Sequence, residues 1–100
     1  MPKAYWIARI DIHNMDGYKE YIAKNGAVFK KYGAKFIVRG GTFELREGTS
    51  RSRNVVLEFK DYQTALACYN SPEYTDLVAI RGPHSEGDLV IIEGYDGPQP

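Results

Sequence analysis

The sequence predicts an α+β fold of the ferredoxin-like type, in which two helices cover one face of a four-stranded antiparallel sheet. Its 100 residues are enough for one domain with a modest core. Short segments that alternate apolar and polar residues, or are continuously apolar, indicate strands, and two longer segments carry apolar residues at helical spacing. In chain order these segments read β-α-β-β-α-β, which is the split βαβ arrangement.

The first half of the chain predicts a strand, a helix and an interrupted strand. Residues 4–12, AYWIARIDI, alternate between two faces. Asp16 is placed to cap a helix with a stripe of tyrosine and aliphatic residues, and Gly33 supplies the left-handed residue that ends it. The segment AKFIVRGGTFELRE then reads as a strand that is interrupted at Gly40 and Gly41 by a bulge or a kink.

The second half predicts a strand, a broken helix and a last strand. VVLEF is the strand, and Asp61 caps the helix that follows it. Ser71 as N-cap and Pro72 at the first helical position break that helix and begin a second, short one. After the loop GPHSEGD, LVIIEGY forms the last strand, and residues 96–100 read as a frayed tail of the single domain 1–100.

The composition excludes several classes of function. The 13 basic and 13 acidic residues cancel, so no strong field attracts nucleic acid or an anionic membrane surface. Cys68 is the only cysteine, which excludes an internal disulfide framework and is typical of a reducing compartment. No signal-peptide pattern begins the chain, and no apolar run approaches the ~20 residues of a membrane span. We therefore expect a cytoplasmic protein that does not enter a membrane.

Both faces of the predicted sheet are partly apolar. The set predicted to face the helices is Trp6, Ala8, Ile10, Val55, Leu57, Phe59, Val90 and Ile92. The set predicted on the open face is Tyr5, Ile7, Val56, Leu89, Ile91 and Tyr95, together with Arg9, Glu58 and Glu93. An exposed apolar patch usually marks an interface. We therefore expect a homodimer in which two sheets pack face to face.

Several stretches cover nearly the whole chain and carry a resemblance to a known family. They are AYWIARIDI, YGAKFIVRGGTFELREG, RNVVLEF, ALACYNSPEYTDLVAIR and GDLVIIEGY. Together they resemble the bacterial domain of unknown function 1330, in the dimeric α+β barrel superfamily. The resemblance implies the fold and the face-to-face dimer, but no reaction, because relatives in the superfamily include cofactor-free monooxygenases, muconolactone isomerase-like enzymes, haem-binding members and proteins without known activity. Gly17 departs from the family, which often has proline there.

Two arginines lead the candidate site residues. Arg39 precedes the paired glycines, where the backbone bends and another group can approach closely. Arg81 falls on the apolar stripe of the short helix, with Tyr74, Leu77 and Val78. An inward arginine needs a carboxylate, a backbone carbonyl or an anionic ligand. Arg81 therefore either ties the short helix to the sheet or holds a ligand carboxylate in fork geometry.

Carboxylates and histidines supply the other candidates. The strand order predicts that Arg9 bridges Glu58 and Glu93 across neighbouring strands. That network is either a salt-bridge cluster at the dimer interface or, if two close glutamates raise one pKa, a general base. Neither histidine has metal-ligand spacing, so we expect no metal site. His84 follows Arg81 closely enough to lie at the mouth of a pocket.

Two classes of function stay open. The first is an enzyme without metal or organic cofactor that acts on a small carboxylate or aromatic compound. The ligand-binding candidates are Arg39, Arg81, Tyr69, Tyr74 and Trp6, and the catalytic candidates are Glu58 and His84. Isomerisation and oxygenation are the reactions that the resemblance implies. The second is a non-catalytic dimeric module that binds a metabolite or serves as a scaffold. In this second class the tyrosines simply fill a small core.

Overall fold

The computed structural model describes residues 2–100 and has the predicted ferredoxin-like fold. Its elements are β1 (Ala4–Ile12), α1 (Met15–Lys31), β2 (Lys35–Arg39), β3 (Arg53–Phe59), α2 (Tyr62–Asn70), α3 (Pro72–Arg81), a 3₁₀ turn (Gly82–His84) and β4 (Ser85–Glu93). The antiparallel sheet has the strand order β2-β3-β1-β4, so β1 and β3 are central. In the part of the chain described, no helix is long and apolar enough to cross a bilayer.

The break in the second helical region follows from local capping. The Ser71 Oγ accepts a hydrogen bond from the Tyr74 backbone N–H at 3.2 Å and donates one to the Cys68 carbonyl at 2.7 Å. It therefore closes α2 and begins α3 at the same residue. Pro72 is the first residue of α3, where its missing N–H leaves no helical bond unmade. The cap predicted at Asp61 is also confirmed, because its carboxylate accepts from the Thr64 N–H at 2.8 Å.

The predicted start of α1 at Asp16 is wrong by two residues. Asn14 is the N-cap, and its side-chain oxygen accepts from the Gly17 N–H at 3.2 Å. Asn and Asp are equally good caps, and what favours Asn14 is a tertiary contact. Its N–H donates to the His84 carbonyl at 3.2 Å, which holds Asn14 in extended backbone. The predicted helix end is confirmed, since Gly33 follows the cap with a φ of 69°.

The predicted strand through the paired glycines ends earlier than expected. β2 stops at Arg39, and residues 40–52 form no strand. The register irregularity lies between Phe36 and Val38, before the glycines. Gly40 then turns the chain away from the sheet with a φ of 65°, while its N–H still donates to the Asn54 carbonyl at 2.8 Å. The glycines thus mark the end of the strand, and the TFELRE segment does not extend it.

The core lies between the helices and one face of the sheet. Trp6, Leu57 and Phe59 are buried there as expected, and Ala4 is buried with them. The predicted facing of β4 is wrong, and the correction concerns four residues: Leu89 and Ile91 pack on the core, whereas Val90 and Ile92 are 54% and 49% exposed on the open face. The register decides this, because Leu89 stands opposite Ala8 and Ile91 opposite Trp6.

The predicted bridge from Arg9 to two glutamates does not form. Arg9 stands opposite Asn54 on β3 and Asp88 on β4. Glu58 and Glu93 pair with residues at the other end of β1. Glu93 also lies on the same side of β4 as the residues that face the helices, so it is not on the same face as Arg9. The strand order was correct, but the register separates these charges by about four residues, or roughly 13 Å along the strand.

Candidate functional site

A cavity of about 300 Å³ lies between the sheet and the helices, with lining residues from α1, α2 and α3. All four strands contribute lining residues to it, among them Ile10, Arg39, Arg53 and Gly87. Its aromatic lining includes Trp6, Tyr18, Tyr21, Tyr69 and Tyr74. The volume is at the lower end of the ~300–1,000 Å³ typical of small-molecule sites.

Trp6 forms a fixed wall of the cavity. The side chain is 1% exposed, and its indole N–H donates to the Ala65 carbonyl at 3.0 Å. The rings of Tyr69 and Tyr74 meet it edge-on, with centroids at 5.6 and 4.9 Å. Because its one donor is already used, Trp6 offers apolar surface and no hydrogen bond to a ligand.

Two tyrosine hydroxyls meet at the cavity, one from each covering helix. The oxygens of Tyr21 on α1 and Tyr74 on α3 are 2.6 Å apart and share a hydrogen bond. Burial raises the pKa of Tyr21, and the neighbouring Tyr74 hydroxyl adds to that rise. Burial also raises the pKa of Tyr74, against the opposing effect of Arg81. Both phenols are therefore neutral near pH 7, and the one that accepts in their shared hydrogen bond still has its own O–H to donate.

Arg81 points inward, as the helical spacing predicted, but it has no protein anion. Its guanidinium carbon lies 5.7 Å from the centroid of the Tyr21 ring and 6.0 Å from that of Tyr74. Within residues 2–100, no carboxylate and no backbone carbonyl pairs with it, so the first of the two predicted roles, a tie to the sheet, has no partner there. Burial acts to lower the pKa of Arg81, but the tyrosine oxygens outweigh it and the pKa is raised. The side chain is a charged group that rests on aromatic faces.

Arg39 and Arg53 line the cavity from the sheet side. Arg39 stands opposite Val55, and Arg53 is two residues earlier on the same face of β3. The guanidinium carbon of Arg39 lies 4.3 Å above the Phe36 ring centroid. Neither arginine takes part in an ion pair among the residues that the structure describes. The cavity therefore holds three arginines on two walls.

The acidic residue at the cavity edge is already paired. The Asp88 carboxylate accepts from the Arg51 Nε at 2.9 Å, and Arg51 also contacts Asp11 at 3.0 Å. These contacts hold the pKa of Arg51 above its usual value, with the Asp88 hydrogen bond as the main cause. Asp88 consequently does not neutralise the cavity arginines.

Asn25 adds a buried amide to the same cavity. It is 6% exposed, on the stripe of α1 that also carries Tyr18 and Tyr21. Its side chain makes no hydrogen bond with another described residue. Every fully enclosed side-chain polar atom in residues 2–100 does have a partner, so the Asn25 amide is not fully enclosed. The amide is thus buried, yet open to the cavity and available to a ligand.

The structure brings all five predicted ligand-binding residues to one cavity: Arg39, Arg81, Tyr69, Tyr74 and Trp6. It does not bring Glu58 there. Glu58 stands opposite Tyr5 on the open face of the sheet and pairs with Lys3 at 3.3 Å. A carboxylate on that face is separated from the cavity by the sheet itself.

His84 also lies outside the cavity lining. Its imidazole packs on Gly17 at the start of α1, in the space that a side chain at Gly17 would fill. Its carbonyl accepts from the backbone N–H groups of His13 at 2.8 Å and Asn14 at 3.2 Å. His84 therefore joins the turn after α3 to the beginning of α1.

Among the cavity residues that the sequence analysis did not select as site residues are Arg53, Tyr18, Tyr21 and Asn25. Two of them carried a readable signal. Arg53 shares the parity of Val55 and Leu57, the apolar face of its strand. Asn25 follows Tyr18 by seven residues and so lies on the buried stripe of α1. An amide or arginine among the buried apolar residues of a strand or helix indicates a cavity that has polar side chains in its wall.

Comparisons with known proteins give a family and a fold. A family model described as domain of unknown function (DUF1330) matches residues 3–95. The comparison with curated proteins found no match. Three similar solved structures illustrate the range of relatives, and all are under 25% identical, so their likeness shows the fold alone.

The first is a protein of unknown function from Rhodopseudomonas palustris, with 16% identity and a TM-score of 0.74 over 96% of this chain and 85% of that chain. The second is a dimeric ferredoxin-like protein of unknown function from Jannaschia sp. CCS1, with 16% identity and a TM-score of 0.71 over 92% and 99%. The third is SnoaB, a cofactor-independent oxygenase from Streptomyces nogalater, with 13% identity and a TM-score of 0.64 over 97% of each chain.

Proposed function

This chain belongs to the domain of unknown function (DUF1330) family, and from that premise we propose that it binds a compact aromatic anion in the cavity between sheet and helices. The observation that carries the proposal is the charge of the cavity wall. Arg39, Arg53 and Arg81 line an aromatic cavity, and no carboxylate of residues 2–100 pairs with any of them. A ligand carboxylate supplies the missing partner.

The energetics favour a ligand that is both charged and apolar. A hydrogen bond to a charged group contributes about 1.5–3 kcal/mol, and a buried aromatic ring contributes about as much again. The sum, roughly 3–6 kcal/mol before the entropy cost of association, sets an upper bound on affinity, with a Kd between several millimolar and a few tens of micromolar. Arg81 supplies the charge, while Trp6 and Tyr69 supply flat apolar walls for the ring.

Turnover of the bound anion is the second candidate function, and the Tyr21–Tyr74 hydrogen bond favours it. Beside the charged Arg81, a tyrosine hydroxyl can donate a hydrogen bond to the enolate oxygen that forms as a bound acid isomerises, while water takes up the proton from carbon and returns one to it. No histidine or glutamate of the described residues lines the cavity. Cofactor-free oxygenation is the other reaction, because SnoaB shares the fold, and dioxygen is then the oxidant.

Catalysis and binding are distinguished by following a bound acid in deuterated water. An isomerase incorporates deuterium at the carbon that changes, and Tyr21→Phe reduces this exchange without abolishing binding. An oxygenase instead consumes dissolved oxygen in proportion to the acid added. A module that only binds does neither, and the affinity for the acid is then its whole activity.

We also propose that the protein works as a homodimer through the open face of the sheet. Ile7, Val90 and Ile92 are 39%, 54% and 49% exposed, beside Val56 and Val38 on neighbouring strands. An apolar patch of this kind is unusual on a monomer. The Jannaschia protein of the same fold is described as dimeric, which supports the same arrangement for this chain.

A thermal-shift titration with a matched pair of ligands tests the binding proposal. Benzoate and benzamide have nearly the same shape, but only benzoate is an anion at pH 7. We expect benzoate to raise the melting temperature, since a ligand at a hundredfold excess over its Kd adds about 2.7 kcal/mol. We expect benzamide to have little effect. Equal shifts for the two, or no shift with benzoate and related aromatic acids, would contradict the proposal.

A further inference from the structure

The three cavity arginines lie on opposing walls. Arg81 projects from α3, one of the helices that cover the sheet. Arg39 and Arg53 project from the sheet itself, on the neighbouring strands β2 and β3. Their strand positions are diagonal neighbours on one face, about 7–8 Å apart. The cavity therefore has one cation on its helical wall and a pair of cations on its sheet wall.

The position of Arg53 depends on the glycine at the end of β2. A Cβ on Gly40 would lie 2.7 Å from the Arg53 Nη1 and 3.2 Å from its Cζ. The φ of Gly40 is 65°, a conformation that other residues rarely adopt, and its N–H donates to the Asn54 carbonyl at 2.8 Å. The backbone at Gly40 thus leaves a space that the Arg53 guanidinium fills, so the conformation of the strand end determines the position of the Arg53 side chain.

The sheet-wall pair has no compensating charge. Arg39 is exposed and Arg53 is half-buried, and an anion between the two side chains would make charge-assisted hydrogen bonds with both. Asp88 is the carboxylate at the cavity edge, and Arg51 already holds it at 2.9 Å. The Arg81 charge on the opposite wall likewise has no anion beside it, only the rings and neutral hydroxyls of Tyr21 and Tyr74.

Tyr18 and Asn25 lie on the α1 wall of the same space. Burial raises the pKa of Tyr18, while Arg81 and Arg53 both act to lower it, so the hydroxyl is within electrostatic reach of both cations. The cavity therefore presents positively charged groups to the two ends of one bound molecule, and neutral hydrogen-bonding groups to its side. The small volume, about 300 Å³, restricts it to roughly the size of a single substituted ring.

We infer, building on the proposed function, that the ligand is a compact aromatic diacid that places one anionic group on Arg81 and the other on Arg39 and Arg53. The proposed function requires only one anionic group on the ligand and makes no statement about a second anionic group. Gly40 is then a positioning residue, because it keeps the space in which Arg53 meets the second group.

Calorimetric titration of three probes tests the second anionic group. Benzoate carries one carboxylate, and isophthalate and terephthalate carry two at different separations. With the intact protein at fixed ionic strength, we expect the better of the two diacids to bind at least about 10-fold more tightly than benzoate. Arg53→Gln should remove that advantage, so that the better diacid and benzoate bind the variant within about 2-fold of one another. Arg46→Gln, outside the cavity and paired with Glu44, should leave all three affinities unchanged.

The outcomes separate this inference from the proposed function. If the wild-type protein binds benzoate and both diacids equally, the inference is wrong and the proposed function stands. If none of the three probes binds, both fail together. If Arg53→Gln keeps the diacid advantage, the assignment of the second group to Arg53 is wrong. Gly40→Ala provides an independent variant, and it should lose the diacid advantage while keeping benzoate binding; retention of that advantage would contradict the role given to Gly40.

Discussion

The hydroxyl oxygens of Tyr21 and Tyr74 lie 2.6 Å apart, and their hydrogen bond joins α1 to α3 at the wall of the cavity. The same two rings lie beneath the guanidinium of Arg81. One buried contact therefore fixes the relative position of the two helices and the aromatic surface on which the cation rests. Stability and ligand recognition are coupled at this point of the fold.

Removal of either hydroxyl should destabilise the protein. Tyr21→Phe or Tyr74→Phe leaves a buried hydroxyl without its partner, which costs about 1–3 kcal/mol of unfolding free energy. The double variant should lose less than the sum of the two, because no unpaired hydroxyl remains. Urea unfolding measures all three. Tyr95→Phe is the control, since that hydroxyl is exposed and bonds only to the nearby Pro98 carbonyl. Single variants as stable as the control would contradict the account.

The buried tyrosines also predict a loss of stability at alkaline pH. Burial raises the pKa of Tyr21 and of Tyr74 above the ordinary value near 10. A raised pKa means that the folded chain keeps protons that the unfolded chain releases. The contribution is complete below about pH 10 and is lost as the pH rises from there toward the folded pKa. Unfolding free energies measured from pH 8 to 11 should fall more steeply for the wild type than for the double Phe variant, and equal slopes would refute this.

Gly17 should not tolerate a side chain, although it lies in a helix. The His84 imidazole occupies the space of a Gly17 Cβ, so Gly17→Ala should lower the unfolding free energy by about 1–3 kcal/mol. Helix propensity alone predicts a gain of roughly 1 kcal/mol. Gly26→Ala is the matched control, because a Cβ there meets nothing within 4 Å, and it should stabilise the protein.

His84→Ala in the Gly17→Ala background should recover most of the lost stability, because it empties the contested space. Thermal or urea unfolding of the four variants completes the cycle. A stabilising Gly17→Ala would show that the imidazole moves away at no cost.

A charge on the open face of the sheet should weaken the proposed dimer. Ile7→Lys places an ammonium group in the centre of the apolar face, where burial in an interface is unfavourable. Sedimentation equilibrium at micromolar concentration should give about twice the 11.3 kDa chain mass for the wild type and the chain mass for the variant. Gln63→Lys, exposed on α2, should remain dimeric. A wild-type mass of 11.3 kDa would refute the dimer.

The parts of the fold that depend on local chemistry were readable from the sequence. Ser71 and Pro72 break the helix because a hydroxyl acceptor and a missing N–H act within a few residues. The facing of β4 was not readable, because Leu89 to Ile92 are all apolar and either parity gives a plausible core. Only the pairing with β1 chooses between them, and pairing is a tertiary property.

The candidate site was readable to a similar extent. Helical spacing placed Arg81 inward, and it does line the cavity. Its lack of a protein carboxylate was not readable, because partner choice depends on which strands and helices meet. Glu58 was offered as a catalytic residue although strand parity already placed it on the open face, and the pairing with Tyr5 confirms that the sheet separates it from the cavity arginines.

The central claim is that the cavity arginines hold a bound anion, and the affinity of benzoate for Arg81→Gln tests it most directly. By calorimetry we expect this variant to bind benzoate at least about 10-fold more weakly than the wild type, with a similar melting temperature in the absence of ligand. Arg81→Lys should restore only part of the affinity, because an ammonium group lacks the planar fork of a guanidinium. Arg46→Gln should bind as the wild type does. Benzoate affinity that is the same in Arg81→Gln and in the wild type would contradict the account.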